Sequence, residues 1–207
     1  MSKNNTLALI ETRGMTALTS AIDSMLKGSN IKMLGFKGCG SAYLTAAFKG
    51  SDDDVLNAIE IGKNAVNQIA KKIPSSTIVE EGLSQLITAH SISNPMLDFV
   101  DIFFNKKKVK LMEKGKAIAF IDARGLVSLI AAADIMSKTS AIDINSIYSM
   151  GSGRLSLLIS GDIEALNCAI EAGIKIVKKH GQFISHCVIA RPDASLISSL
   201  LKNYTKA

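Results

Sequence analysis

The sequence predicts an α+β fold in which two copies of a β-α-β-β-α-β unit follow one another along the chain. The 207 residues match themselves at an offset of 111, with 19 identities in the 57 positions that pair 6–62 with 117–173. Each half shows the same order of strand-like and helix-like apolar patterns. This period is too long for a solenoid repeat and indicates a duplicated domain.

The first strand and helix of each copy have the clearest pattern. An apolar strand from Leu7 to Thr12 ends at the pair Arg13-Gly14, and the second copy repeats this pair at Arg124-Gly125. A helix follows, whose apolar residues are spaced by three, four and three and predict a single buried face. These residues are Met15, Leu18, Ile22 and Met25.

The rest of each copy completes the unit. Two β-rich runs, 30–37 and 43–49, flank a short glycine loop and predict a hairpin. The acidic cluster Asp52-Asp53-Asp54 then favours the start of a second helix, which continues to 70. A short last strand is predicted near 76–79, with 184–190 as its counterpart in the second copy. This order suits an antiparallel sheet with helices on one face.

The domain organisation follows from the repeat. We expect a first domain over 1–92, a linker or extension over 93–115, and a second domain over 116–207. The middle segment contains Pro95 and the lysine-rich run from Lys106 to Lys110.

Composition excludes several classes of protein. The chain is 47% hydrophobic and 20% charged, within the range of folded domains. No apolar run reaches about 18 residues, so we expect no membrane span, and the N-terminus lacks the features of a signal peptide. Three scattered cysteines are typical of reduced thiols in a cytoplasm. The net charge of +6 is dispersed, and the low aromatic content does not favour nucleic-acid binding.

The stretch GFKGCGSAYL, residues 35–44, holds the only cysteine that lies among glycines. A dinucleotide-binding loop is excluded because Tyr43 stands where its third glycine would be and the following element is a strand. A catalytic thiol would need a base, and none lies nearby in the sequence. With no paired carboxylates and no cofactor fingerprint, we expect that the chain is not an enzyme and has no catalytic residues.

The three histidines show no metal-ligand spacing. His180 ends a lysine-containing helix, where a positive charge would suit the helix dipole. His186 lies in an apolar strand, and a structural role is expected for it. His90 is a candidate only by elimination.

The ordered set of motifs resembles one family. LIETRGMTALTSAIDSMLKGSNI and FIDARGLVSLIAAADIMSKTSAI are similar to the opening of a bacterial microcompartment shell domain. GFKGCGSAYL, YSMGSGRLSL and GDIEALNCAIEAG are similar to its pore loops and second helix, and ARPD at 190–193 to its Ala-Arg-Pro-His corner. Because the set occurs twice, the chain resembles a tandem-domain shell protein.

The resemblance implies a homotrimer with a pseudohexagonal outline that tiles among other shell proteins in a shell within the bacterial cytoplasm. It also implies that the hairpin loops of both copies line a central pore through which small polar metabolites pass. The residues that it assigns to the pore are Gly38, Cys39, Gly40, Ser41, Met150, Gly151, Ser152 and Gly153.

The family's edge contacts carry over to three positions. Lys27 and Lys138 occupy the place of a lysine that follows the first helix, and Arg191 matches the corner arginine. At the offset of 111 the first copy departs from the pattern, since Glu80-Glu81 stand where Arg191-Pro192 would.

Two alternatives remain open. Tandem shell proteins of the propanediol-utilisation type hold a [4Fe–4S] cluster through one pore-loop cysteine per chain, which implies Cys39 as a candidate ligand and an electron conduit as the function. In this sequence Cys39 lies one residue earlier than the cysteine of that subgroup, so we expect a buried thiol and no cofactor. A small-molecule sensor built on the paired units, with its ligand in an interdomain cleft, is a further alternative.

Overall fold

The structure, a computed structural model, describes residues 6–71, 86–95 and 115–202. They form two four-stranded antiparallel sheets, one in each copy, with helices packed against them. The elements are β1 (Thr6–Arg13), α1 (Met15–Gly28), β2 (Lys32–Gly38), β3 (Tyr43–Gly50), α2 (Asp52–Ala70), β4 (Leu86–Ser93), β5 (Ala117–Arg124), α3 (Leu126–Thr139), β6 (Ile142–Gly151), β7 (Arg154–Gly161), α4 (Ile163–His180), β8 (Gln182–Ile189) and α5 (Ala194–Lys202).

The two sheets have the same topology. Their strand orders are β2-β3-β1-β4 and β6-β7-β5-β8, so the first strand of each copy lies between the third and the fourth. Even an irregularity is repeated, because the pairing with the last strand shifts between Glu11 and Thr12 in one copy and between Asp122 and Ala123 in the other. The predicted α+β fold with two tandem antiparallel units is confirmed.

The second helix of each copy begins close to where the sequence predicts. Asp52, Asp53 and Asp54 form the first turn of α2, where carboxylates interact favourably with the helix dipole. Ser51 is the N-cap, and its hydroxyl oxygen accepts a hydrogen bond from the Asp54 amide at 3.2 Å.

The buried face of α1 differs in part from the prediction. Leu18 and Met25 are fully buried, but Ala17 and Ala21 complete the face, and Met15 remains 47% exposed. Small side chains occupy these positions because α1 packs closely against α2. The apolar spacing alone did not distinguish Met15 from the residues of the core.

The last strand of the first copy was predicted in the wrong place. Residues 76–79 lie outside the described residues, and the strand that pairs with β1 is β4, which starts at Leu86. His90 pairs with Leu9 as Cys187 pairs with Phe120, so the copies correspond here at an offset of 97. The first copy therefore carries a longer connection before this strand, and the ungapped offset of 111 fails beyond α2.

The offset of 97 also changes which residues of the first copy correspond to the corner motif of the second copy. At an offset of 97, Asn94-Pro95 corresponds to Arg191-Pro192. The pair Glu80-Glu81, which also lies outside the described residues, is not the counterpart of the corner. The proline is thus present in both copies, and asparagine replaces the arginine in the first.

The helix α3 is buried almost all round. Ten of its 14 residues are buried, against four of 14 in α1. It contacts β1 and β4 of the first copy as well as the sheet of its own copy. One apolar cluster consequently joins Leu7 and Leu9 of the first copy to Leu126 and Leu129 of the second.

A glycine at the helix crossing of each copy sets how closely the helices pack. A Cβ added at Gly62 would lie 2.7 Å from Sδ of Met25 and 3.0 Å from Cδ1 of Ile10, and one at Gly173 would lie 2.6 Å from Sδ of Met136. We expect Gly62→Leu to lower the free energy of unfolding by about 1–3 kcal/mol, because the larger side chain overpacks this crossing.

Urea unfolding followed by circular dichroism measures this change. Asn67→Leu places the same side chain on an exposed position of α2 and should change the stability much less. Equal losses in the two variants would contradict the close packing at Gly62.

Candidate pore loops and domain junction

The loop between β2 and β3 is a tight turn built from left-handed residues. Gly40, Ser41 and Ala42 have φ values of 85°, 48° and 60°. The Cys39 amide donates to the Tyr43 carbonyl at 2.9 Å, and the Tyr43 amide donates to the Gly40 carbonyl at 3.0 Å. Positive φ is free of strain only for glycine, so closing hydrogen bonds and neighbouring structure must hold Ser41 and Ala42.

The corresponding loop between β6 and β7 has the same geometry with more glycine. Gly151, Ser152 and Gly153 have φ values of 81°, 53° and 70°. Gly153 takes the place of Ala42, so this turn carries a single non-glycine residue in the left-handed region.

Each loop is tied to the end of the central strand by one backbone hydrogen bond. The Gly14 amide donates to the Ala42 carbonyl at 2.8 Å, and the Gly125 amide donates to the Gly153 carbonyl at 3.1 Å. Both of these glycines also have positive φ, 89° and 100°. The repeated Arg-Gly pair therefore has a physical reason, since the chain must turn from strand to helix and reach the loop at that residue.

The two loops lie side by side within one chain. A Cβ added at Gly40 would lie 3.2 Å from the Ser152 nitrogen and 3.4 Å from Cα of Gly151, and one at Gly153 would lie 2.9 Å from the Tyr43 ring. The ring of Tyr43 also lies under the Arg13 guanidinium, with the Cζ atom 5.6 Å from the ring centroid. Side chains would separate the loops, so small residues are required at this contact.

The residues assigned to the pore divide into two sets. Six are exposed, and Cys39 and Gly153 are buried inside the chain. Met150, the counterpart of Cys39, is 53% exposed. The exposed residues are Gly38, Gly40, Ser41, Met150, Gly151 and Ser152.

Cys39 does not fit a ligand of a cluster shared between chains. Its side chain is 1% exposed and belongs to the apolar cluster at the junction of the copies. Burial, reinforced by the charge of Glu11, raises the pKa of the thiol to about 12, so the thiolate that binds metal is disfavoured. Within the described residues, no three His, Cys, Asp or Glu side chains form a group suited to a metal ion.

Sequence reasoning missed the central polar residue of the domain junction, Glu11. Its Oε1 accepts hydrogen bonds from the Leu126 amide at 2.8 Å and from the Thr45 hydroxyl at 2.9 Å. Leu126 is the first residue of α3, so the carboxylate of one copy caps a helix of the other. The side chain is fully buried, and burial raises its pKa. Its signal in the sequence was an acidic residue at the same place in both copies, Glu11 and Asp122.

Two histidines also meet across the junction. The rings of His90, on β4, and His180, at the end of α4, have centroids 4.1 Å apart. Burial, the other histidine and Lys179 lower the pKa of His90 to about 4, while Asp134 acts in the opposite direction. Burial and Lys179 also lower the pKa of His180, so the positive charge expected at this helix end is disfavoured. His186, expected to be structural, is exposed on β8.

The residues assigned to the tile edge have different surroundings. Lys27 is exposed and pairs with Asp23 at 2.7 Å. Lys138 binds Asp134 at 2.6 Å and donates to the Ser93 carbonyl at 3.2 Å, which places its ammonium at the domain junction. Arg191 is exposed beside a shallow hollow in the second copy.

Among the described helices, none combines the length and apolar character needed to cross a bilayer.

Comparisons with known proteins show which domain family the two copies match. The family described as BMC domain matches twice, over residues 6–95 and 117–192. The carboxysome assembly protein CcmO of Synechococcus elongatus (strain ATCC 33912 / PCC 7942 / FACHB-805) is 28% identical over 94% of this chain and 68% of its own length. The chain spans 62% of the CcmO of Synechocystis sp. (strain ATCC 27184 / PCC 6803 / Kazusa), at 24% identity.

One relative matches a single copy of the domain, whereas one solved structure matches both copies. The bacterial microcompartment shell protein EutM of Escherichia coli (strain K12) is 33% identical over 84% of its length but only 39% of this chain. The crystal structure of a microcompartment protein from Desulfitobacterium hafniense DCB covers 92% of this chain and 97% of its own, with a TM-score of 0.69 and 21% identity. The two-copy organisation thus occurs in a solved structure.

Glu11 generates a stability prediction. We expect Glu11→Ala to lower the free energy of unfolding by about 1–3 kcal/mol, because it leaves the buried Leu126 amide and Thr45 hydroxyl without an acceptor. Glu11→Gln, which keeps one acceptor oxygen, should lose less. Urea titration measures both, with Asp23→Ala as the control, since an exposed ion pair contributes little. A loss no larger than that of the control would contradict the capping role.

The histidine pair generates a pH prediction. Because the pKa of His90 is about 4 in the folded chain and near 6.5 in the unfolded chain, the unfolded state binds more protons between these values. The free energy of unfolding should therefore fall as pH falls from about 6.5 to 4, and His90→Asn should flatten this dependence.

Urea midpoints measured across this pH range provide the test. His186→Asn is the matched control, because His186 is exposed on β8 and lies outside the pair. An unchanged pH dependence in His90→Asn would contradict the inference.

Proposed function

Because the chain belongs to the BMC-domain family and is a tandem-domain shell protein of a bacterial microcompartment, we propose that it forms a homotrimeric, pseudohexagonal tile with a central pore. Its role is structural, as in the relatives named as shell proteins, and its place is the microcompartment shell in the cytoplasm. The tile passes small polar metabolites and carries out no reaction of its own.

The observation that carries the pore is the contact between the two hairpin loops. Gly40 lies against Gly151 and Ser152, so one chain already brings two glycine turns to the same place. Repetition of this contact between chains gathers the turns around an axis. The Ser41 and Ser152 hydroxyls and the exposed backbone of the turns then face the opening and can hydrogen-bond a polar solute.

The observation that supports the ring is the unequal burial of equivalent helices. The first copy covers α3, whereas the equivalent surface of α1 is open and Met15 is 47% exposed. In the second copy β8 is largely exposed, whereas its counterpart β4 is half-buried. Two unlike surfaces that fit each other form a heterologous contact, which generates a closed ring when the rotation closes. With two copies per chain, three chains complete a ring of six domains.

Contacts to other shell proteins come from the outer edge of the tile. Lys27 and Arg191 are exposed and available for such contacts. Lys138 is less available for contacts to other shell proteins, because its ammonium already binds Asp134 and the Ser93 carbonyl. The two lysines that the resemblance treats alike therefore contribute unequally, with Lys27 the stronger contact.

Neither alternative function gains support from the site. An electron conduit requires Cys39 thiolates on the axis, but this thiol is buried and its pKa is raised. A sensor requires a cleft between the copies, but side chains fill the junction where α3 meets β1 and β4.

The mass in solution tests the trimer. We expect a species of about 66 kDa, three times the 22.0 kDa chain, by size-exclusion chromatography with multi-angle light scattering at micromolar concentration. Mixed with a hexameric shell protein, it should join extended sheets visible by electron microscopy. A monomer at every concentration tested would contradict the proposal.

A further inference from the structure

At the junction inside the chain, one copy caps a helix of the other copy. The N-cap of α3 is Gly125, which has no side chain, so Glu11 of the other copy supplies the capping carboxylate. The contact satisfies an amide that the helix leaves unpaired and places negative charge at the positive end of the dipole. Nothing local to α3 performs this function.

The chain presents both halves of a second such contact, one at the start of α1 and one on the central strand of the second copy. Helix α1 begins after Gly14, has no acidic residue in its first turn and has no side-chain hydrogen bond at its N-cap. Asp122 is the counterpart of Glu11, at the same register shift of the sheet, and is half-buried whereas Glu11 is fully buried. The Ser185 hydroxyl donates to its Oδ2 at 2.8 Å, which leaves Oδ1 to accept.

We propose that Asp122 of one chain caps the N-terminus of α1 in a second copy of the chain, so that the contact between chains reproduces the Glu11–Leu126 junction. This inference rests on the proposed ring and names the contact that closes it. The acceptor is the Asp122 carboxylate, the donors are the first amides of the partner subunit's α1, and the apolar cover is Met15 of the partner subunit against β8.

The contact between chains is more polar than the junction inside the chain. Thr16, Thr19 and Ser20 of α1 stand where α3 has Val127, Ile130 and Ala131. A face as apolar as that of α3 would promote aggregation of a chain not yet assembled, whereas hydroxyl groups keep it soluble. The carboxylate cap therefore carries a larger share of the specificity between chains than it does within one.

The histidine pair of the junction inside the chain identifies a second pair of positions that should meet between chains. Across the junction inside the chain, His90 faces His180. The counterpart of His90 is Cys187, which is exposed, and the counterpart of His180 at the offset of 111 is Ile69, at the end of α2. In the ring, Cys187 of one chain faces Ile69 of the partner subunit.

This pair gives a direct test. In a Cys168→Ser background, Ile69→Cys provides a partner for the native Cys187, and a short bismaleimide should join neighbouring chains. Denaturing gels should then show dimers and trimers and no larger species. Each chain contributes Cys187 to the contact with one neighbour and the introduced cysteine to the contact with the other, so the links end within a ring of three chains. Adding Cys187→Ser should abolish the ladder, and Cys39 should not replace it because it is buried.

The capping residue is tested by association. Asp122→Ala should raise the dissociation constant of the chain contact about five- to thirtyfold, the range expected for losing one helix cap. Asp122→Glu, which copies the junction inside the chain, should restore association. The control is Asp53→Ala, which removes the same charge from an exposed position in the first turn of α2.

The outcomes separate the two proposals. A wild-type protein that stays monomeric overturns the ring itself. A wild-type trimer that shows no link through Cys187, and whose Asp122→Ala variant associates as the wild type does, overturns the contact and leaves the ring standing. If Ile69→Cys fails to fold by circular dichroism, the Asp122 series still decides the question.

Discussion

The hydrogen bond from the Leu126 amide to the Glu11 carboxylate fixes how the two copies are joined. It lies where the central strand of the first copy meets the first turn of α3, and both groups are buried. Because a buried acceptor without its donor is costly, this contact allows little displacement of one copy against the other. The positions of the hairpin loops follow, since each loop is held to its central strand through Gly14 or Gly125.

The fold could be predicted from the sequence because the chain contains it twice. Motifs that are weak alone, such as Arg13-Gly14 or Gly40-Ser41, become informative when they recur in the same order. The prediction failed where the copies differ in length. The connection before β4 breaks the offset of 111, which misplaced the last strand and assigned Glu80-Glu81 to the wrong corner.

The site could be predicted only in part, because the sequence pattern does not show what covers a residue. Gly40 lies against Gly151 and Ser152, since only small residues allow two backbones to approach so closely, and their place in a pore stays a prediction. Glu11 and the pair His90–His180 depend on contacts between copies, which no periodicity within one copy reveals. The expectation for His180 considered the helix dipole alone, whereas burial and the neighbouring Lys179 lower the pKa of its ring.

Duplication within one chain lets the two halves of an interface evolve separately. A ring of six identical domains has one kind of contact, so every substitution acts on it six times. Here the contact inside the chain has a fully buried glutamate, an apolar helix and a histidine pair, whereas the positions that would meet between chains hold an aspartate, hydroxyl groups and a cysteine. The first set suits a permanent junction formed as the chain folds. The second suits a surface that must remain soluble until another copy covers it.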